Sequence, residues 1–479
     1  MDMDLYLEKL ASWGPLLAWL LTGVVMILAS GHVVLHKRDA RSALGWVGII
    51  LLVPVVGALL YVVFGINRIR RRATRLRPRG ETAEPPGAGI SLPPRFAHLE
   101  PLARLTGRVA RWPLLGGNRV TPLVNGEEAY PAMLAAIAAA RRSIALSSFI
   151  FDHDSVGEEF AVALAAAVRR GVAVRVIIDA VGARYSWPSM VGALRRAGIP
   201  VARFLPTWVP WRLPYVNLRC HRKLLAVDGR LAFTGGLNIH EGHMPSRTPR
   251  RPVIDLHFCV EGPIVAQLVQ AFAEDWTFVS RETLAGEAWF PALAPAGEVW
   301  ARTITDGPDH DFEATRWILA GALASARSTV RIQTPYFLPD AGLVTELNTA
   351  ALRGVVVDIL LPEAGNLSTV QWASMAQLQE ILEYGCAVRL VPPPFDHTKL
   401  LLVDELWSLI GSANWDPRSL RLNFELNLEC YDAALAASLG ALYEQKRSGS
   451  RRITLDDLNA RGLCTKLRDG TARLVSPYL

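Results

Sequence analysis

The stretch that decides the fold is His221-Arg222-Lys223-Leu224-Leu225-Ala226-Val227-Asp228, followed by Gly235-Gly236 and Asn238. It returns as His397-Thr398-Lys399-Leu400-Leu401-Leu402-Val403-Asp404, followed by Gly411-Ser412 and Asn414. The register is constant: 397 − 221, 399 − 223, 404 − 228, 411 − 235 and 414 − 238 all equal 176. One H-x-K-x4-D string arises by chance in a long chain. A second copy with the same glycine and asparagine offsets marks a duplication.

Each copy reads as a strand, a tight turn and a second strand. Leu224, Leu225 and Val227 are apolar and suited to a strand, and Asp228-Gly229 is a hairpin-turn signal. Side chains at i and i+2 of a strand share a face, about 7 Å apart. His221 then faces the same way as Lys223, and His397 as Lys399. Asp228 and Asp404 lie an odd number of residues from their histidines, at the turn or on the other face, in a supporting place.

Two imidazoles and two ammonium groups converging on one pocket suit a phosphate. The lysines offset its charge, Asn238 and Asn414 can donate side-chain N–H bonds, and the small residues Gly235, Gly236, Gly411 and Ser412 let backbone N–H groups approach. Histidine titrates near neutrality, so one imidazole can attack phosphorus while the other protonates the leaving oxygen. Two halves that each contribute His, Lys and Asn imply one site at a pseudo-twofold interface, with neither half active alone.

These residues resemble the phospholipase D superfamily, whose signature is a duplicated HxKxxxxD motif, over roughly residues 120 to 479. Gly411-Ser412-Ala413-Asn414-Trp415-Asp416-Pro417-Arg418-Ser419 and Asn423-Phe424-Glu425 are similar to the bacterial cardiolipin synthase form of the second copy. The resemblance implies an α/β fold of two tandem phospholipase D-like domains, each a mixed sheet flanked by helices. It implies a catalytic set of His221, Lys223, Asp228, His397, Lys399 and Asp404. His221 would be the nucleophile and His397 the general acid, then base, with the lysines and asparagines on the phosphate. An acidic residue after each copy would orient a histidine: Glu425 in the second half and Asp255 in the first. Because 255 − 221 is 34 and 425 − 397 is 28, the first half needs an insertion.

The same resemblance implies transfer of a phosphatidyl group between two phosphatidylglycerol molecules, giving cardiolipin and glycerol, with no cofactor and no metal. Phosphatidylglycerol and other anionic phospholipids are the expected partners. The alternatives are a phospholipase D-type hydrolase, a transferase with another acceptor, or a catalytically dead anchored lipid-binding protein. A nuclease is disfavoured, since no aromatic–basic stripe suggests a nucleic-acid groove.

The chain has 479 residues, 51% of them hydrophobic, and a formal net charge of +7, which suits an anionic partner. Cys220, Cys259, Cys386, Cys430 and Cys464 form no C-x-x-C pair, so neither a zinc site nor a disulfide framework is indicated, in keeping with a reducing compartment. Cys220, beside His221, reads as a packed residue.

Leu16–Leu35 and Ala43–Phe64 lack Asp, Glu, Lys and Arg and are each long enough to span a bilayer, giving an expected hairpin in residues 1–66. Asp2, Asp4 and Glu8 argue against a cleaved signal peptide. Pro54 and Gly57 should kink the second helix, and His32 reads as interfacial. Arg68, Arg70, Arg71, Arg72, Arg75, Arg77 and Arg79 outnumber the basic residues Lys37, Arg38 and Arg41 of the hairpin linker. The positive-inside rule then places the catalytic part in the cytoplasm, and the resemblance implies that the membrane is the inner membrane of a bacterial cell.

Residues 67–117 read as a basic linker, with Leu102–Leu115 an interfacial or surface helix. Domains of 118–290 and 291–479 follow, each with a βαβα rhythm. Gly171/Gly354 and Gly198/Gly385 support duplication, and Tyr336-Phe337 aligns with Phe149-Ile150. Trp208, Pro210, Trp211, Pro214 and Tyr215 suggest a lipid-facing rim. His240 and His243 are a weak metal-site candidate, and Arg247, Arg250 and Arg251 a candidate headgroup guide.

Overall fold

The computed structural model describes residues 3–37, 40–65, 92–206, 218–308 and 311–474. The chain divides into two compact units, residues 1–72 and 73–479. In the first, α1 (Met3–His36) contains Trp13–His36, a 24-residue stretch of mean hydropathy 2.0. At about 1.5 Å per residue it reaches about 36 Å, past a hydrocarbon core of about 30 Å.

The second expected span is not one helix. α2 (Ala40–Leu52) and α3 (Pro54–Leu60) meet at Val53, and a π-helical turn, Tyr61–Gly65, follows. Pro54 cannot continue a helix because it lacks an N–H, but it fits the first turn of a new one. The chain passes close to itself here: a Cβ on Gly57 would lie 2.6 Å from the Ile49 carbonyl oxygen. His32 is a packing residue, its Nδ1 2.8 Å from the Tyr61 hydroxyl. The arginines at 68–79, with Arg38 and Asp39, lie outside the described residues, as do Trp208, Pro210, Trp211, Pro214 and Tyr215.

The second unit is built on one sheet. Its first half supplies β1 (Leu115–Val124), β2 (Ser143–Ser148), β3 (Ala173–Asp179), β4 (Val201–Phe204), β5 (Arg219–Cys220), β6 (Leu224–Val227), β7 (Leu231–Gly235), β8 (Val253–Ile254) and β9 (Leu256–Glu261). The second half supplies β10 (Val299–Asp306), β11 (Thr329–Gln333), β12 (Val356–Pro362), β13 (Ala387–Val391), β14 (Phe395–Asp396), β15 (Leu400–Val403), β16 (Trp407–Gly411), β17 (Asn423–Tyr431) and β18 (Arg451–Ile453).

β1 and β10 pair antiparallel in the middle. Outward from them run β9, β7, β6, β2, β3 and β4 on one side and β17, β16, β15, β11, β12, β13 and β18 on the other. The two halves expected as separate domains thus share one sheet. They also share a core, in which Leu224, Phe258 and Leu268 cluster with Leu402, Leu426 and Leu428.

Runs rich in Val and Ile give inner strands such as β3 and β12. Gly171, Gly198, Gly354 and Gly385 all have positive φ, between 76° and 98°, at the ends of helices, in matched places of the two halves. The long helix after β12 spans Ser368–Leu382.

Helix Glu100–Val109 is neither interfacial nor a plain surface helix. It buries Leu102, Ala103 and Thr106, the first two in the second half's core with Phe96, Leu99, Ile318 and Ala322. Its apolar stripe is already covered by protein.

Candidate active site

Local pairing places each histidine. β5 pairs parallel with the start of β17, Cys220 opposite Phe424, so His221 meets Glu425. β14 pairs parallel with β8, Asp396 opposite Ile254, so His397 meets Asp255. The histidine N–H groups continue these ladders, His221 to the Phe424 carbonyl at 2.9 Å and His397 to the Ile254 carbonyl at 2.7 Å. The wiring is crosswise: each half's histidine is held by the other half's carboxylate. His221 Nδ1 lies 2.9 Å from Glu425 Oε2, and His397 Nδ1 lies 2.7 Å from Asp255 Oδ2.

His221 to Lys223 and His397 to Lys399 precede the strands β6 and β15 instead of lying in them. The lysines fold back, Lys223 Nζ donating to the His221 carbonyl at 2.8 Å and Lys399 Nζ to the His397 carbonyl at 2.5 Å. Both histidines and both lysines are buried.

The two histidines differ in their surroundings. His221 Nδ1 is also 3.1 Å from the Ser412 carbonyl, which can only accept, so Nδ1 carries the proton and Nε2 the lone pair. Glu425 accepts further from Ser412 Oγ at 2.6 Å and Asn423 Nδ2 at 3.0 Å. Burial pushes the Glu425 carboxyl up, yet His221, Lys223 and Ser412 together hold it below its ordinary value. Burial dominates at Asp255 and raises it to about 7, against the pull of Lys399.

Burial and neighbouring positive charge act on the cations in the same way. Lys223 falls to about 7 and Lys399 to about 8, chiefly through burial. His397 is driven well down by burial and then by Lys399, Lys223, His243 and His221. A pocket of crowded, partly discharged cations favours an anion that restores their protons.

Asp228 and Asp404, expected in the catalytic set, sit elsewhere. They occupy left-handed turn positions, φ 51° and 53°, at the far ends of β6 and β15. Asp228 accepts N–H bonds from Arg141, Arg142 and Ser143, and Asp404 from Arg327, Ser328 and Thr329. His98 adds a 3.0 Å contact to Asp404. These carboxylates clamp hairpin turns.

The small residues also differ from expectation. The N–H groups of Gly236 and Ser412 are spent on the Leu256 and Leu426 carbonyls, 3.0 Å away in each case, so they form no phosphate nest. Gly235 and Gly411, at φ 148° and 146°, let the chain pass the next strand: a Cβ would fall 2.7 Å and 2.4 Å from the Leu256 and Leu426 oxygens. Gly236 leaves room for Asp255, whose Oδ1 would be 2.1 Å from a Cβ there. Asn238 Oδ1 accepts the Ile150 N–H at 3.2 Å, and Asn414 Nδ2 donates to Ser419 Oγ at 3.1 Å.

The insertion demanded by the unequal spacing lies between Asn238 and Asp255. Two 3-10 turns, Glu241–His243 and Pro245–Arg247, stand where the second half has helix Pro417–Arg421. His240 and His243 each spend one ring nitrogen on the backbone. His240 Nδ1 takes the Gly242 N–H and His243 Nε2 the Asn238 N–H. Asp152, Asp154 and His240 do bring ligand atoms within 4.8 Å of one another, but Asp154 is committed to the N–H groups of Gly157 and Glu241. Arg247 is paired with Glu159 at 2.9 Å.

Sequence reasoning missed Phe149, whose ring meets His221 edge-on at 5.2 Å, and His257. Neither ring nitrogen of His257 has a partner among the described residues, and burial lowers it to about 3. It lies two residues after Asp255, as Asn427 does after Glu425, which was a readable signal. The alignment of Tyr336-Phe337 shifts by one: the bridges Phe151–Ile239 and Phe337–Trp415 match Phe337 to Phe151.

Fold and site define an α/β protein of duplicated architecture in which each half's buried histidine is locked by a carboxylate of the other half. A family model described as "Cardiolipin synthase, PLD-like domain" matches residues 133–276 and 319–446, and one described as "Phospholipase_D-nuclease N-terminal" matches 24–65. Cardiolipin synthase A of Pseudomonas fluorescens is 32% identical over 462 residues, covering 95% of this chain and 96% of that protein. A cardiolipin synthase of Geobacillus kaustophilus is 29% identical over 474 residues, covering 96% and 94%. The crystal structure of phosphatidylserine synthase of Haemophilus influenzae has the same fold, with a TM-score of 0.61 at 15% identity, covering 79% of this chain and all of that one. The chain belongs to the cardiolipin synthase family of phospholipase D-like proteins.

Proposed function

We propose that this phosphatidyltransferase of the phospholipase D type makes cardiolipin and glycerol from two molecules of phosphatidylglycerol. The cardiolipin synthases over nearly its whole length support the reaction. The observation that carries the chemistry is the crosswise locking of two buried imidazoles, His221 by Glu425 and His397 by Asp255.

In this reading His221 Nε2 attacks the phosphorus of the first lipid, since Glu425 and the Ser412 carbonyl hold the ring proton on Nδ1. His397, made cationic when the phosphate anion offsets the two lysines, protonates the departing glycerol oxygen. Neutral again, it takes the proton from the hydroxyl of the second phosphatidylglycerol, which displaces His221. Lys223, Lys399, Asn238 and Asn414 bear on the phosphate oxygens, and no metal enters. An approximate twofold axis between β1 and β10 relates the halves; the matching strand order supports it.

Residues 1–66 anchor the enzyme in the bacterial inner membrane, α1 as one span and α2 with α3 as a broken second. The arginine excess after them supports a cytoplasmic site. The test is the product profile of the purified chain in phosphatidylglycerol vesicles. Equal amounts of cardiolipin and glycerol are expected. Phosphatidic acid with glycerol, and no cardiolipin, would make it a hydrolase; no release at all would make it a binding protein.

A further inference from the structure

Trp187 is 96% exposed and its neighbour Tyr185 is 65% exposed, in the loop that follows β3. Single exposed aromatics are ordinary, but this pair stands on a fixed base. His153 donates from its N–H to Ser186 Oγ and from Nδ1 to the Pro188 carbonyl, both at 3.1 Å, gripping the chain on either side of Trp187. Asp179 Oδ1 takes the N–H groups of Val181 and Gly182 at 2.9 and 3.3 Å. Gly182 presses on Phe149, where a Cβ would lie 1.6 Å from the carbonyl oxygen.

The loop also leads into the site. Tyr185 meets Phe149 edge-on at 6.3 Å, and Phe149 meets His221 at 5.2 Å. Positive charge gathers beside it from both halves. Burial lowers the Arg219 guanidinium, Asp179 opposes that, and Arg418 and then Arg184 lower it further, with Tyr185 acting on it too. The corresponding loop of the second half, between β12 and helix Ser368–Leu382, carries no aromatic residue. The aromatic tip is therefore an addition to one half and not a requirement of the fold.

We propose that residues 181–189 form a membrane-inserting loop: Trp187 and Tyr185 enter the interface of an anionic bilayer, and the arginines beside them gather phosphatidylglycerol headgroups at the mouth leading to His221. Aromatic rings settle at the headgroup level, and guanidinium groups favour an anionic surface. The inference rests on the lipid substrate proposed above and names the surface from which that substrate is taken.

The full chain, with Cys464→Ser and Trp187→Cys, is labelled with an environment-sensitive fluorophore and reconstituted in vesicles. The fluorophore should shift to the blue and be quenched by nitroxide on the acyl chains in phosphatidylglycerol vesicles, and less so in phosphatidylcholine vesicles. A label at Leu352→Cys should not respond. Emission at Trp187→Cys matching that in water and open to aqueous iodide would overturn the proposal. Shielding that is equal in phosphatidylglycerol and phosphatidylcholine vesicles and that acyl-chain nitroxide does not quench would assign the loop to a second copy of the chain and overturn it as well.

Trp187→Ser should raise the apparent KM for vesicular phosphatidylglycerol about tenfold and leave kcat and turnover of dispersed short-chain phosphatidylglycerol unchanged. Loss of short-chain turnover would place Trp187 in the structure of the site and refute the interfacial role. The fluorescence outcome does not depend on cardiolipin being the product, so the two proposals fail separately.

Discussion

A histidine is a nucleophile at phosphorus only if one ring nitrogen is stripped of its proton and aimed. In the proposed mechanism Glu425 does this for His221 from the other half of the chain. Glu425→Gln is expected to lower kcat by about a hundredfold to ten-thousandfold with a small change in KM, as when a carboxylate that fixes a tautomer is neutralised. Rapid-quench kinetics read this directly. His221→Ala should abolish the covalent lipid–enzyme intermediate and His397→Ala leave a trace of it; equal labelling of both by radioactive phosphatidylglycerol would reverse or void the assignment. In the proposed mechanism the lysines set the pH dependence. In the free enzyme Lys223 and Lys399 lie at about 7 and 8, so their charge is present below these values and lost above them. Accordingly kcat/KM, which reports the free enzyme, should fall as pH rises from 7 through 8; a flat profile to pH 9 would show that the lysines do not hold the phosphate.

At the scale of the element, the unit is a hairpin whose two ends do different work. The histidine and lysine lead into β6 or β15, and the aspartate closes the turn at the other end. Asp228→Ala removes the acceptor for three backbone N–H groups and is expected to cost about 1–3 kcal/mol, seen as a lower unfolding midpoint, while the folded fraction still forms the intermediate. A variant as stable as wild type but unable to form the intermediate would return Asp228 to the chemistry. Gly411→Ala tests the strand crossing: φ of 146° and a 2.4 Å approach to the Leu426 oxygen leave no room for a methyl group. A loss of about 1–3 kcal/mol is expected.

At the scale of the whole molecule, the site exists only between halves. Each half brings a histidine and a lysine, and each borrows the carboxylate that aligns its ring. Co-reconstituted His221→Ala and His397→Ala chains should make no cardiolipin, because both imidazoles of a site come from one chain. Recovery of activity on mixing would mean that chains exchange halves. The shared core of Leu224, Leu402 and Leu426 gives the physical reason against it, since separating the halves would expose that apolar surface to water.

The sequence by itself determined what repeats. Identical offsets fixed both histidines, both lysines, both asparagines and the two-half plan, because a duplicated hairpin must keep its spacing to keep its turn. It also showed an apolar first helix, since that is a local matter of hydropathy, and glycine pairs whose spacing marked the duplication. Only the tertiary structure decided which carboxylate serves which histidine, because parallel pairing of β5 with β17 and of β8 with β14 joins residues 204 and 142 positions apart. It also gave Asp228 and Asp404, which parity had put at the turns, their backbone partners, and it fixed at Val53 the break that Pro54 and Gly57 announced. Pairing across a sheet depends on which strands meet, and no periodicity along one strand carries that information.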